Sequence, residues 1–273
     1  MQADLKVRFG ELIISKKELL SLGPQLARAV VSTSFVAQEI REFVRLVDGA
    51  IVEYETQHNV QLMQTAQRST LLRALALKVD NFLNIWEHLL SNPNTKAADT
   101  FGILEDLHSK YSQSFSDLRE HPGQEIAKHV RDRMTAHIDL VATQKSIELF
   151  QDDWSVSILY NAAPGNSFFA LGEDVVFGAG LMHQHGRKGS EKQEEQCAFS
   201  QHEATERLKV WNDYVIDAAS VCLSYHIELI HAFPEKCLNK RGAPWIDLAI
   251  PAKRHSTLED FRLPVYSRNP DIE

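Results

Sequence analysis

The sequence predicts an all-α protein, an antiparallel bundle of four to five long helices with a Gly-rich insertion that carries one or two short strands. The chain of 273 residues has only 12 Gly and 9 Pro, roughly 4% and 3% against ~7% and ~5% in average proteins. Because β-sandwiches and barrels need many tight turns built from these residues, an all-β fold is disfavoured. Apolar residues also recur at alternating steps of three and four, which is typical of helices that bury one face.

Five apolar stripes place the predicted helices in order along the chain. They run from Leu26 to Ile51, from Leu72 to Leu89, from Leu104 to Leu118, from Ile126 to Val141 and from Leu208 to Leu229. Stripes that alternate three and four residues favour packing of the helices at about 20° to one another.

Turn residues mark the ends of these helices. Gly23-Pro24 precedes the first helix, and the mixed segment before it holds either a strand or a short helix. Ser91-Asn92-Pro93-Asn94 ends the second helix, and His121-Pro122-Gly123 separates the third from the fourth.

Glycine and proline are segregated rather than merely scarce. Half of the glycines lie between Gly165 and Gly189, and most of the prolines lie from Pro234 onward. We therefore predict a single domain over residues 1–273, with its parts defined by this segregation. They are a helical scaffold of residues 26–150 and 203–233, a Gly-rich insertion of residues 151–202, and a Pro-rich tail of residues 234–273.

Charge and cysteine content narrow the class of protein. The net charge of −8 argues against non-specific coating of nucleic acid, because that binding depends on Lys and Arg neutralising phosphates. The three cysteines are odd in number and lack C-x-x-C spacing, which suits a reducing compartment. The sequence shows no secretory signal and no run of about 18 apolar residues. We expect a cytoplasmic protein without membrane contact, and the sequence predicts no cofactor.

The fourth predicted helix carries the most informative polar residues. On a helical wheel centred on Met134, four apolar residues fall within about 40° of the centre, namely Ala127, Val130, Ile138 and Val141. Arg131 lies near +60° and His137 near −60°. Both side chains therefore flank the buried face, separated by about 9 Å along the helix axis. At such a rim, an arginine and a histidine can meet their copies in a second chain across a two-fold axis.

The string Arg131-Asp132-Arg133-Met134-Thr135-Ala136-His137 resembles the R-x(4–6)-H motif of the HEPN superfamily. That family consists of helical bundles, often dimeric, many of which are metal-independent ribonucleases of defence and toxin–antitoxin systems. The resemblance covers residues 26–150 and leaves the insertion and the tail unaccounted for. It implies RNA as substrate, a homodimer and no metal.

The resemblance also implies a role for each residue of the motif. His137 is the general base or acid, since imidazole titrates near neutral pH. Arg131 holds the phosphate with its bidentate, permanently charged guanidinium. Asp132 is the small polar residue that follows the arginine in the family and orients the site, while Lys128 and Arg133 add attraction for RNA.

Other patterns support competing hypotheses. Glu-x-x-His occurs at Glu55, Glu105 and Glu228, and such pairs build di-iron sites when they face a bundle interior. On the wheel, the pairs at Glu105 and Glu228 face outward, which disfavours that site. His183 and His185 in the Gly-rich loop are weaker metal candidates, because their spacing matches no closed zinc pattern. The competing function is a non-catalytic helical module that binds a protein partner, nucleotide or RNA.

Overall fold

The computed structural model describes five main stretches, residues 5–9, 13–50, 58–131, 201–239 and 246–250. Between them it describes residues 144, 147–148, 150, 152, 158–159, 168–169 and 173–178. This part of the chain is mainly helical, which confirms the predicted fold class.

The helices follow the order that the apolar stripes predict. They are α1 (Lys16–Ser21), α2 (Pro24–Gly49), α3 (His58–Ile85), α4 (Pro93–Ala97), α5 (Ile103–Glu120), α6 (Pro122–Val130) and α7 (Gln201–Leu238). A π-helical turn, Trp86–Leu90, continues α3, and a second one spans Glu173–Gly178. None of the described helices is both long enough and apolar enough to cross a bilayer.

Two short antiparallel ladders accompany the helices. Strand β1 (Leu5–Phe9) pairs with β4 (Ile246–Ile250), and β2 (Ile158–Leu159) pairs with β3 (Phe168–Phe169). The second ladder lies within residues 151–202, where the sequence predicts short strands. The mixed N-terminal segment contains both a strand and the short helix α1.

Local side-chain bonds fix where two of the helices begin. Ser15 and Glu18 form a capping box at α1, in which Glu18 N donates to Ser15 Oγ at 3.3 Å and Ser15 N donates to Glu18 Oε2 at 2.8 Å. At the start of α5, the buried Asp99 accepts hydrogen bonds from the backbone N–H of Phe101 at 3.0 Å and of Leu104 at 2.8 Å. Glu18 N and Leu104 N are among the backbone donors that the first turn of a helix leaves unpaired, and these bonds satisfy them.

The last helix is longer than its apolar stripe. Pro234 lies inside α7, and the helix continues to Leu238 before Asn239 adopts a left-handed conformation with φ 49°. Asparagine tolerates this conformation, which commonly follows a helix end. The helix therefore extends beyond the boundary between scaffold and tail that we drew at residue 234.

The chain divides into two compact units. Unit 1 comprises Met1–Gly49, Asp80–Ser114 and Ser220–Glu273, and unit 2 comprises Ala50–Val79 and Phe115–Ala219. The single domain that the sequence predicts, with its scaffold, insertion and tail, stays a prediction.

An aromatic cluster around Tyr225 forms the core of unit 1. Tyr225 of α7 is fully buried, and its ring meets Phe82, Trp86 and Tyr111 edge to face with centroids 5.5 to 6.1 Å apart. This geometry is the one that aromatic pairs prefer. His108 stacks on Trp86 at 5.3 Å, so that α3, α5 and α7 all contribute to one core.

Unit 2 contains a second aromatic core around Trp211. Trp211 of α7 is fully buried and meets the ring of Phe177 edge to face at 5.2 Å. The guanidinium of Arg73 in α3 lies 4.8 Å from the centroid of Phe177, within the range of a cation–π contact. Part of the Gly-rich insertion is thereby packed against the scaffold.

Candidate functional site

The start of α6 is held by a histidine cap. His121 Nδ1 accepts a hydrogen bond from Gly123 N at 3.0 Å, and Pro122 occupies the first helical turn, where its missing N–H costs nothing. The ring of His121 also lies 5.4 Å from the ring of Tyr214 in α7. The helix that carries the predicted motif therefore begins directly after α5, as the turn residues predict.

Gly123 allows α6 to approach α7 closely. A Cβ atom at this position would lie 2.4 Å from Tyr214 Cβ and 2.7 Å from the carbonyl oxygen of Val210. Neither distance is compatible with any residue larger than glycine. This contact fixes the direction in which α6 leaves the surface of α7 within unit 2.

The other end of α6 carries the described part of the predicted site. Val130 is buried, Arg131 is half-buried and Lys128 is exposed. The backbone of Arg131 keeps helical angles, with φ −60° and ψ −53°. Arg131 follows Lys128 by three residues, so the two cations lie within one turn.

The remaining candidate residues lie outside the described residues. They are Asp132, Arg133 and His137 of the motif, and His183 and His185 of the Gly-rich loop. The meeting of Arg131 with His137 stays a prediction.

Glu105 and His108 turn toward different partners. Glu105 is exposed and lies 3.2 Å from Lys96, whereas His108 stacks on Trp86. Partial burial lowers the pKa of His108, and the nearby positive charge of Lys96 lowers it further. The described residues contain no group of three or more His, Cys, Asp and Glu side chains placed to hold a metal ion.

Glu228 lies at a polar contact between α5 and α7. Its Oε1 atom accepts hydrogen bonds from Lys110 Nζ at 2.6 Å and from Tyr111 Oη at 2.7 Å. These two bonds lower the pKa of Glu228. Burial, followed by the bond to Glu228, raises the pKa of Tyr111 to about 12. The pair therefore keeps a charged carboxylate and a neutral phenol over the physiological range.

A shallow groove of about 390 Å³ follows this contact in unit 1. Ile103 and Leu107 are its buried apolar residues, and a second ion pair, from Lys236 Nζ to Asp106 Oδ2 at 2.7 Å, also lines it. The two ion pairs show that α5 and α7 run antiparallel, because Asp106 meets Lys236 and the later Lys110 meets the earlier Glu228. Sequence reasoning missed this groove, since no local pattern pairs α5 with α7.

Comparison with known proteins finds no family model, no curated protein and no solved structure that matches the chain. The assignment of a function therefore depends on the residues themselves.

Proposed function

We propose that the chain is a metal-independent endoribonuclease that acts through Arg131 and His137. One observation supports this most directly, namely that Arg131 is half-buried beside the buried Val130 at the end of α6. A guanidinium that is partly shielded from water attracts a phosphate more strongly, and the partial burial of Arg131 favours such shielding. Exposed Lys128, one turn earlier, adds a second cation in an otherwise acidic chain.

The proposed chemistry needs only these residue types. His137 removes the proton from the ribose 2′-hydroxyl, and the 2′-oxygen attacks the adjacent phosphorus. Arg131 stabilises the added negative charge of the phosphorane with paired N–H donors. The bond to the 5′-oxygen then breaks, and that oxygen takes a proton from a second histidine of the dimer or from water. The products are a 2′,3′-cyclic phosphate and a 5′-hydroxyl.

In this proposal two copies of the chain supply one composite site. Asp132 orients the arginine or histidine, and Arg133 contributes to RNA binding together with Lys128. No cofactor takes part, since histidine and arginine provide the proton transfer and the charge stabilisation.

The test is cleavage of single-stranded RNA in the presence of EDTA. We expect His137→Ala and Arg131→Ala each to lower the cleavage rate by about 10²-fold or more, in the range measured for general acid–base catalysis. His202→Ala is the matched control, because His202 is an exposed histidine of α7 outside the motif. Cleavage that is equal in the parent and in His137→Ala, or absent from both, would overturn the proposal.

The second candidate is a non-catalytic module that binds a protein partner or RNA. It is favoured by the exposure of Val31 and Phe35, two large apolar side chains one turn apart on α2. RNA binding without cleavage, unchanged by His137→Ala, would favour this function over the first.

A further inference from the structure

Helix α2 buries one apolar face, and its opposite side carries two exposed apolar side chains. The buried face carries the stripe Leu26, Val30, Thr33, Ala37 and Ile40. The opposite side, which we call the outer face of α2, follows steps of three and four residues. It consists of Arg28, Val31, Phe35, Gln38 and Glu42.

Val31 and Phe35 form an exposed apolar surface at the middle of this outer face. Phe35 is 68% exposed and Val31 is 51% exposed. Because they are four residues apart on one helix, their side chains lie next to each other. Removing this apolar surface from water would favour association.

Opposite charges flank this apolar centre symmetrically. Arg28 precedes Phe35 by seven residues and Glu42 follows it by seven, so each lies about 10.5 Å from Phe35 along the axis. Seven residues are close to two helical turns, which puts both charges on the same side of α2 as Phe35.

Glu42 retains one oxygen for a further contact. Gln38 Nε2, Arg41 Nη2 and Arg45 Nη1 all approach Glu42 Oε1, at 2.7, 3.3 and 3.5 Å. Glu42 Oε2 has no partner among the described residues. Arg28 is exposed at the other end of the outer face.

We propose that the outer face of α2 binds a second copy of this chain in an antiparallel arrangement. A two-fold axis at Phe35 brings the two Phe35 rings together, with Val31 of each copy beside them. The same axis places Arg28 of each copy opposite Glu42 of the other, because the two residues are equally distant from the centre. A face with this symmetry is complementary to itself, which is the requirement for a two-fold dimer.

The dimer is expected to be weak. Helix α2 has 26 residues, which corresponds to about 39 Å of helix. One face of a single helix buries less than the roughly 1,200 Å² that stable complexes reach. Self-association should therefore be weak and should increase with concentration over the micromolar range.

Sedimentation velocity of the full chain between about 1 and 200 μM tests the proposal. The parent should show an association step that grows with concentration, and Phe35→Ser should lose this step while leaving the proposed composite site of Arg131 and His137 unaffected. Ile227→Ser is the matched control, since Ile227 is an exposed apolar residue of α7 at 53%, against 68% for Phe35, and it should behave as the parent does. Circular dichroism of each variant establishes that the helices are intact.

Charge reversal distinguishes this arrangement from any other dimer. Arg28→Glu and Glu42→Arg should each weaken association at low salt, and the chain with both reversals should recover it. A sedimentation coefficient of the parent that does not change with concentration, a step of association that is the same in Phe35→Ser as in the parent, or failure of the double reversal to recover the lost step would each overturn the proposal. The outer face belongs to unit 1, whereas Arg131 belongs to unit 2, so these variants test it separately from the ribonuclease activity.

Discussion

His226 Nδ1 of α7 lies 3.2 Å from Thr33 Oγ1 of α2. The Thr33 hydroxyl donates its hydrogen to the carbonyl oxygen of Ala29 at 2.8 Å. The Thr33 oxygen is therefore the acceptor in its contact with His226, which corresponds to the neutral tautomer with its hydrogen on Nδ1. Burial lowers the pKa of His226 to about 4. The histidine is therefore neutral in the folded protein, and it joins α2 to α7 inside unit 1.

The first prediction concerns the pH dependence of stability. Because the pKa of His226 is lower in the folded chain than the ordinary value of about 6.5 in the unfolded chain, the unfolded chain binds one more proton between these two values. The contribution of neutral His226 to the free energy of unfolding is therefore fully present above pH 6.5, and it is lost as the pH falls toward 4. Urea unfolding at several pH values should show a smaller decline for His226→Asn, which cannot titrate. A decline as steep as that of the parent would contradict this.

The second prediction concerns the approach of α6 to α7. Gly123→Ala places a methyl group 2.4 Å from Tyr214 Cβ, and overpacking of this kind costs about 1–3 kcal/mol. Gln124→Ala, at the next position and half-exposed, should change stability by less than about 0.5 kcal/mol. Thermal or urea unfolding measures both, and equal stability of the two variants would show that the close approach is absent in solution.

The third prediction concerns the start of α5. Asp99→Ala removes the acceptor of two backbone N–H groups, and loss of a capping side chain costs about 0.5–2 kcal/mol. The exposed neighbour Thr100 gives a control, since Thr100→Ala removes no such bond. The free energy of unfolding should fall for Asp99→Ala alone. A comparable loss in Thr100→Ala would attribute the effect to the loop rather than to the cap.

The fourth prediction compares the two polar contacts between α5 and α7. Tyr111→Phe removes a hydrogen bond from a buried phenol to Glu228 and should cost about 0.5–1.5 kcal/mol. Lys236→Met breaks the ion pair with Asp106. The side chain of Lys236 is 46% exposed and that of Asp106 is 69% exposed, and surface pairs of this kind contribute about 0–1 kcal/mol. High salt should reduce the loss of stability caused by Lys236→Met and leave the loss caused by Tyr111→Phe unchanged. If both variants lost the same free energy of unfolding with the same dependence on salt, the distinction between a buried hydrogen bond and an exposed ion pair would be contradicted.

The helices could be predicted from sequence because their signals are local. The stripe from Leu72 to Phe82 is buried where its periodicity places it, and Pro122 starts a helix as its neighbours indicate. Val130 of the predicted fourth stripe is buried as well. Each of these features depends on residues only a few positions apart.

The contacts between helices could not be predicted in the same way. Nothing near Gly123 in sequence indicates that Tyr214 and Val210 lie against it, and Glu228 is separated from Tyr111 by more than a hundred residues. The wheel places Glu228 outward, yet an outward position on α7 still meets α5 across the groove. The periodicity of one helix predicts which of its faces is buried, but it does not indicate which other helix packs against that face.

Strands β1 and β4 pair Leu5 with Ile250, so the ladder joins residues near opposite ends of the sequence. While the chain is being synthesised, β1 leaves the ribosome long before its partner exists. Its backbone N–H and C=O groups then form an open strand edge, which other chains can pair with. Closing so long a loop is entropically costly and slow, which makes this ladder a late event in folding. Until β4 has been made, β1 has no partner in its own chain, and this order of synthesis exposes the nascent chain to pairing with other chains.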